Sequence, residues 1–507
     1  MALAIPPGIA GGPDTWIPAR WPGGPLELER RAQDNTMPAD PDLRETIRQW
    51  YDPATLDLLQ GTPINCLLLT WSAGRDSEME KQQQKLVQAY AQAARRRGIA
   101  VVGLIRPGGA PSSFTESALE AGLDGLAMEG DFPGGARFLS EMRQALRARN
   151  SAAVVVSMTA WEKLTRSMDI LAAADAVAPG LRELAEGVAA SPSSEPWIDS
   201  NIWLVRSIRS WGGLRPVWLG EQIAANAAPV DYLRAIADAA AGGGRWVIAL
   251  SDGLRQGLNR KQPEAMATWH KITSYLKFQQ EHAEWYTYPP FAVCGFIQDS
   301  SGKNRELSAE NLNLASRRRI PLRIIERSEL SAAALAGLRA VHGIDMNQPT
   351  QQERKILSAF AENGGLLVAG PAWKQTETPK DQDFTILPSG RGRVAIYRDE
   401  WPEPSSLAKD LVSLLGLENL GVRLFRSSSV LSHISSDKNG SRVLVQLVNY
   451  ASYPAESMLV RVSEGFRSAR FHTPERAVEE LVLEKSDGRL EINIPGLSVY
   501  GVLVLEK

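Results

Sequence analysis

From residue 64 onward, apolar runs and amphipathic stretches take turns along the chain. Ile64-Asn65-Cys66-Leu67-Leu68-Leu69-Thr70-Trp71 is nearly all apolar, as a strand covered on both faces should be. Glu78 to Arg97 repeats its apolar positions at helical spacing and stops at Gly98, a residue suited to the left-handed turn that ends helices. The same alternation gives strands at residues 99–105, 123–128, 152–158, 175–179, 216–220 and 246–250. Helices are expected at 113–121, 134–149, 161–173, 197–211, 230–241 and 264–285. Seven strands alternating with helices predict a (β/α)8 TIM barrel. Its remaining strand must come from the Pro- and Gly-rich segment 1–60, where only Trp16-Ile17 hints at one.

The pattern changes twice more. After Tyr286-Thr287-Tyr288-Pro289-Pro290 a second α/β run begins, with strands at 291–297, 321–325, 340–344, 366–369 and 393–397 and helices at 306–317, 349–362 and 405–415. This predicts a flavodoxin-like open sheet. It has no Gly-x-Gly-x-x-Gly, and Asn363-Gly364-Gly365 reads as a helix stop rather than a phosphate cradle. From about residue 420, alternating strands with Asn439-Gly440 and Asp487-Gly488 turns predict a small antiparallel β-sandwich. The expected domains are therefore a barrel over 1–288, an open α/β domain over 289–418 and a sandwich over 419–507. A chain of 507 residues exceeds what one hydrophobic core can serve.

Composition removes several functions. A net charge of −2 offers no basic excess for nucleic acid. Five histidines without His-x-x-x-His, and two cysteines without Cys-x-x-Cys, argue against zinc. Cys66 and Cys294 exclude a disulfide framework but leave one bridge open. No apolar run reaches the roughly 20 residues of a membrane span. The segment Met1 to Gly8 lacks the basic and apolar regions of a leader, so the protein is either cytoplasmic or exported after trimming of a leader. No Gly-x-Ser-x-Gly elbow or Ser-His-Asp set is present, which argues against esterase or protease chemistry.

Two strands end in glutamate: Leu126-Ala127-Met128-Glu129 and Trp218-Leu219-Gly220-Glu221. Catalytic groups of such barrels lie at the carboxyl ends of strands, and two carboxyl groups are the equipment for cleaving a glycosidic bond. With Gly125, Ala127 and Glu129 on one strand face and Leu219 and Glu221 on another, Trp218 is expected to point toward the helices. Glu129 is the candidate acid/base, its pKa raised by burial beside a second carboxylate, and Glu221 the candidate nucleophile. Other strand ends supply candidate sugar-binding groups. Trp71 can stack on a sugar or plug the barrel, and Trp161 follows the fifth strand as a further candidate. Arg106 can reach hydroxyls or hold a carboxylate ionised, Asp131 is the substitute acid/base should Glu129 not serve, and Asp252 can reach hydroxyls. No metal or organic cofactor is required.

Barrel, open α/β domain and β-sandwich in this order resemble the beta-galactosidases of glycoside hydrolase family 42 and their clan A relatives, over nearly the whole chain. Leu447-Val448-Asn449-Tyr450 and Pro495-Gly496-Leu497-Ser498-Val499-Tyr500 look like that family's terminal sandwich. The resemblance implies a glutamine-amidotransferase-like middle domain that is non-catalytic and builds homo-oligomers, a carbohydrate substrate, and catalytic glutamates after the fourth and seventh strands, as Glu129 and Glu221 are by count. The clan places Asn before its acid/base to grip the sugar 2-hydroxyl; here that residue is Met128, so galactose specificity does not carry over. Two functions follow: a glycoside hydrolase, retaining if the carboxyl groups lie about 5–5.5 Å apart, or a carbohydrate-binding or assembly protein whose barrel lost its chemistry.

Overall fold

A computed structural model describes residues 11–73, 78–108, 110–132, 134–164, 169–179, 188–190, 196–198, 200–212, 215–220, 227–302, 304–374 and 378–507. The chain divides into two compact units. One comprises Met1–Leu184 and Leu214–Ala283; the other comprises Ala185–Gly213 and Glu284–Lys507.

The first unit is a ring of parallel strands. Pro18–Arg20, Cys66–Ser72, Ala100–Ile105, Gly125–Glu129, Val154–Met158 and Ala176–Val177 pair in succession. A bridge from Val177 to Val217 leads on to Trp218–Leu219, which pairs with Arg245–Trp246. Ile248–Ala249 then pairs with the first strand and closes the ring. Arg245–Trp246 and Ile248–Ala249 together act as the eighth strand, interrupted at Val247. The faint N-terminal hint was therefore a strand, set two residues beyond Trp16-Ile17.

Residues from around the whole ring, with Trp16 just before the first strand and Val247 at the break in the eighth, meet in one buried cluster: Trp16, Cys66, Leu68, Val102, Leu104, Ala127, Val156, Met158, Ala176, Trp218 and Val247 among them. Only the barrel interior can unite residues from all the strands. Space there is tight between the fourth and fifth strands. A Cβ on Gly125 would come within 2.1 Å of the Val154 carbonyl oxygen, so a larger residue there would force the strands apart. The cluster also corrects the expected orientation of the seventh strand. Trp218 is fully buried in the interior beside Trp16, with ring centroids 6.5 Å apart, and does not point to the helices. Its bulk fills a barrel lined elsewhere by Ala127, Ala176 and Ala178, and this volume match outweighs the alternation counted back from Glu221.

Around the ring most expected helices form with small shifts, for example Glu78–Arg96, Gly135–Arg149 and Pro263–Glu281, but the helix expected over 161–173 is described only as a short turn, Trp161–Lys163, and a helix, Asp169–Ala173. The helix Gly24–Gln33 had no counterpart in the sequence reading. It begins at Gly24, held at φ +81°, with Pro25 in its first turn. Residues 197–211, expected as one helix, instead contain the end of a short strand, Pro196–Ile198, and then the helix Ile202–Gly212. Pro196 starts the strand, which pairs with Val188–Ala190.

The second unit contains a six-stranded sheet. Its order is Leu322–Glu326, Cys294–Gln298, Ala340–His342, Leu366–Ala369, Gly392–Tyr397 and Phe384–Ser389, all parallel except the last, an antiparallel edge. Connections reverse direction between Cys294–Gln298 and Ala340–His342, which is where such sheets open a crevice at their carboxyl ends. Two antiparallel sheets of four and five strands follow, from Val422–Phe425 to Tyr500–Glu506. They share one apolar core, in which Val460, Ile492 and Ile494 of the smaller sheet meet Val445, Phe471 and Leu503 of the larger. Cys66 and Cys294 are both free and buried. Among the described residues, no helix is long and apolar enough to cross a membrane.

Candidate functional site

Glu129 is the last residue of the fourth strand, two places beyond the interior residue Ala127, so its side chain rises from the barrel's inner face. The chain turns away at once through Gly130, at φ +104°. Arg20 ends the first strand, and Arg106 follows the third, two places beyond interior Leu104. All three therefore meet at the mouth. Arg20 Nη2 lies 2.5 Å from Glu129 Oε1. Arg106 donates from Nε and Nη2 to Glu129 Oε2 at 3.2 and 3.1 Å. The Glu129 carboxylate is about one-fifth exposed.

This geometry reverses one expectation. Burial pushes the Glu129 carboxyl up, as anticipated, but Arg20 and Arg106 together outweigh it and hold the group below the usual glutamate value. The two guanidinium groups thus favour the carboxylate form of Glu129, the opposite of the shift expected for a general acid. Among the described residues, the charged groups that act most on Glu129 are the guanidinium groups of Arg20 and Arg106.

Further charges continue from this centre. On the helix Gly24–Gln33, Glu27 is 1% exposed and accepts from Arg30 Nε and Nη2 at 2.9 and 2.6 Å and from Arg31 Nε at 3.0 Å. Burial would raise Glu27, but the two arginines bring it down to about 2. Glu129 in turn helps keep Arg30 protonated, after the stronger pull of Glu27. Arg31 reaches on to Asp252 with a bidentate pair at 2.6 and 3.0 Å. Asp252 opens the helix Asp252–Asn259 behind the N-cap Ser251. The network therefore runs from the end of the eighth strand across to the fourth.

The structure brings together Glu129 and Arg106, and connects Asp252 to them through Arg31, Glu27 and Arg30. It does not bring in the remaining described candidates. Trp71 is 1% exposed and lies beside Gly103, whose neighbours Val102 and Leu104 face the interior; Trp71 is therefore packed on the helix side, where no sugar can stack. Trp161 is 3% exposed in a short turn after the fifth strand, and packing hides its ring too. Asp131 is exposed and paired with Lys163, where water screens it. Glu221 lies outside the described residues. Sequence reasoning missed Arg20, Glu27, Arg30 and Arg31. The Glu27-x-x-Arg30-Arg31 spacing, which puts opposite charges on one helix face, was the available signal.

A second acid-rich place lies at the carboxyl ends of the six-stranded sheet. Asp345, 6% exposed, accepts from the Asp299 backbone N–H at 2.8 Å. Glu326 accepts from Ser300 N and Oγ at 3.2 and 2.9 Å. Arg327 binds Asp299 at 3.1 Å and Glu353 at 2.8 Å. Burial, with Asp299 and Glu326 adding to it, pushes Asp345 up to about 7.

No family model matches the chain, and neither does any curated protein. Solved structures do match in fold. The alpha-L-fucosidase isoenzyme 2 from Paenibacillus thiaminolyticus superposes with a TM-score of 0.65 at 11% identity, over 90% of this chain and 96% of that one. A beta-galactosidase from Bacillus circulans sp. alkalophilus gives 0.61 at 9% identity, over 97% and 99%. A catalytic mutant of Gan42B, a GH42 beta-galactosidase from G. stearothermophilus, gives 0.56 at 12%, over 97% and 98%. Along nearly its whole length, then, the chain resembles in fold the family 42 beta-galactosidases and related glycosidases.

Proposed function

We propose that the protein is a glycoside hydrolase acting on an oligo- or polysaccharide, with its catalytic centre at the mouth of the barrel. In this reading residues 1–288 form the catalytic domain. Residues 289–418 form a flavodoxin-like, amidotransferase-like domain that carries no chemistry and mediates self-association, and 419–507 a β-sandwich. The observation that carries the reading is a partly exposed carboxylate at the end of the fourth strand, rising from the inner face of the ring and held by two arginines. A fixed anion there can attack an anomeric carbon or stabilise an oxocarbenium-like transition state. It cannot donate the leaving-group proton. The roles suggested by strand count are therefore exchanged: Glu129 is the nucleophile or charge stabiliser, and Glu221 the acid/base. Arg106 positions Glu129, and Asp252 lies along the charged rim that meets the sugar. Trp71, Trp161 and Asp131 have no part in the reaction.

A second reading is a carbohydrate-binding or assembly protein without chemistry. The double guanidinium clamp favours it, because both oxygens of Glu129 are already engaged, as does Met128 in place of the clan's Asn.

Aryl glycosides with good and poor leaving groups decide the matter. A dinitrophenolate needs no proton to depart. Glu221→Gln should keep activity on dinitrophenyl glycosides and lose it on unactivated ones, while Glu129→Gln should lose about 10³-fold or more on both. The opposite pattern would restore Glu129 as the acid/base. A wild-type protein that turns over none of the panel would leave the binding reading.

A further inference from the structure

The six-stranded sheet of the second unit has another concave place, at the amino ends of its strands and so opposite the acid-rich crevice. Arg339 stands just before the strand Ala340–His342, and Gly365 just before Leu366–Ala369. Arg391 and Arg393 flank Gly392, where the strand Gly392–Tyr397 begins. Backbone bonds from Leu366 N to Arg339 O at 2.9 Å and from Arg393 N to Gly365 O at 3.1 Å bring these three starts side by side. Strands lie about 4.8 Å apart, so the main chains of Arg339 and Arg393 are roughly 10 Å apart, with Gly365 between them. A cavity of about 720 Å³ opens there, lined by the three arginines and, among others, by Leu338, Ile356 and Phe360. Those apolar side chains are only partly buried and rest on the core of the sheet. Gly365 gives Phe360 its place, because a Cβ there would come within 2.3 Å of the ring.

The charge of this lining is one-sided. Arg339 donates to Asn419 Oδ1 and Arg393 to the Leu414 carbonyl. Arg391 donates to the Asn363 carbonyl and Oδ1 over long bonds of 3.4 and 3.5 Å. Among the described residues none of the three takes part in an ion pair, and no lining residue is acidic. The nearest acids in sequence, Glu362 and Glu418, stand outside the lining, and Glu418 Oε1 accepts from Asn419 Nδ2 at 3.2 Å. The helices Gln351–Glu362 and Pro404–Leu415 end beside the cavity, and Arg391 and Arg393 meet carbonyls there. A helix end carries about half a negative charge, so the two offset about one of three positive charges. Each guanidinium has five N–H donors, and neutral acceptors take only one or two of them.

We propose that this cavity binds a small aromatic acid, a carboxylate or sulfonate on a flat apolar body. Its volume lies within the range of about 300–1,000 Å³ usual for small-molecule sites, which pair apolar walls with a few polar groups. The acid group meets the guanidinium groups of Arg339, Arg391 and Arg393, whose planar forks match two oxygens at once. The body lies over Phe360, Leu338 and Ile356, where its area leaves water. A neutral aromatic would gain only that second part, and a small inorganic anion only the first. The site lies in the second unit and does not depend on the hydrolase reading.

Fluorescence titration of the whole protein with two dyes tests this. One is 8-anilinonaphthalene-1-sulfonate; the other is N-phenyl-1-naphthylamine, the same rings without the sulfonate. Wild type should bind the sulfonate at least about 10-fold more tightly than the neutral dye, the worth of one charge-assisted contact. Arg339→Gln with Arg391→Gln should remove that advantage and leave the neutral dye within about 2-fold of wild type. Both arginines are exposed, so the pair should still melt as wild type does. Ala359→Glu, at an exposed helix position in the lining, puts a negative charge into the cavity and should abolish sulfonate binding. Equal affinity for the two dyes in wild type would reduce the cavity to an adhesive apolar surface and overturn the proposal. So would unchanged sulfonate binding in both variants. A lowered melting temperature with sulfonate affinity intact would mark the arginines as helix caps and overturn it too.

Discussion

The barrel mouth and the crevice of the six-stranded sheet are the same kind of place with opposite electrostatics. Both lie where parallel strands end and loops begin. At the mouth, Glu129 meets Arg20 and Arg106, and Glu27 meets Arg30 and Arg31, so each buried carboxyl group has two guanidinium partners. Both are held ionised. In the crevice, Asp345 lies near Asp299 and Glu326, and Arg327 pairs with Asp299 and with Glu353. Asp345 is pushed up toward neutrality by burial, with Asp299 and Glu326 adding to it. Similar burial thus yields a fixed anion in one place and a retained proton in the other. Burial raises the carboxyl group in all three cases; guanidinium partners overturn it at Glu129 and Glu27, and among the described residues none is bonded to Asp345 to do so.

The largest test removes the anion at the heart of the first network. Glu27→Gln leaves Arg30 and Arg31 facing each other with one buried partner gone, and should cost about 3–5 kcal/mol in chemical denaturation at pH 7. A loss below about 1 kcal/mol would mean that the arginines find other acceptors, and the contrast between the two places would fail. Asp345→Asn tests the other side. The folded Asp345 keeps its proton up to about pH 7, whereas an unfolded aspartate loses it near 4. Between these values the native state binds more protons, so wild-type stability should fall as pH rises from about 4 to 7 and hold that deficit above. The asparagine variant should lack this slope and be more stable than wild type at pH 8, by about 2–4 kcal/mol. Unchanged slopes would place the acid surplus elsewhere. The smallest effect sets the baseline: Asp131→Asn, at an exposed pair with Lys163, should change stability by less than about 0.5 kcal/mol.

The sequence revealed the elements better than their contacts. Continuous apolar runs such as Leu67-Leu68-Leu69 and Val154-Val155-Val156 are strands because burial on both faces leaves no room for polar positions. Those runs gave the barrel its order, and Glu129 its place at a strand end. The first strand was faint because it is only three residues long, Pro18–Arg20, and takes its stability from neighbours on both sides. The facing of Trp218 was misread because a two-residue strand leaves alternation no length over which to register. Arg106 was readable as a group that could hold a carboxylate ionised, but its pairing with Glu129, and that of Arg20, were hidden for a different reason. Arg20 and Arg106 lie far away in sequence and come close only when the ring forms, so no spacing rule could pair them. Trp71 was a candidate sugar platform, but with Trp21, Trp50, Trp218 and Trp246 it is among the largest fully buried side chains. Their area serves the core first.

The closure of the ring has a consequence for how the chain is made. The strand nearest the N-terminus, Pro18–Arg20, is hydrogen-bonded on one side to Cys66–Ser72 and on the other to Ile248–Ala249. Trp16 and Arg245, which meet at that seam, are 229 residues apart. At about 5–20 residues per second, a ribosome needs on the order of 10–50 s to deliver the second after the first. Throughout that interval the earliest strand has one bare edge, so chaperones that shield nascent edges should matter more to this protein's yield than its finished stability would suggest.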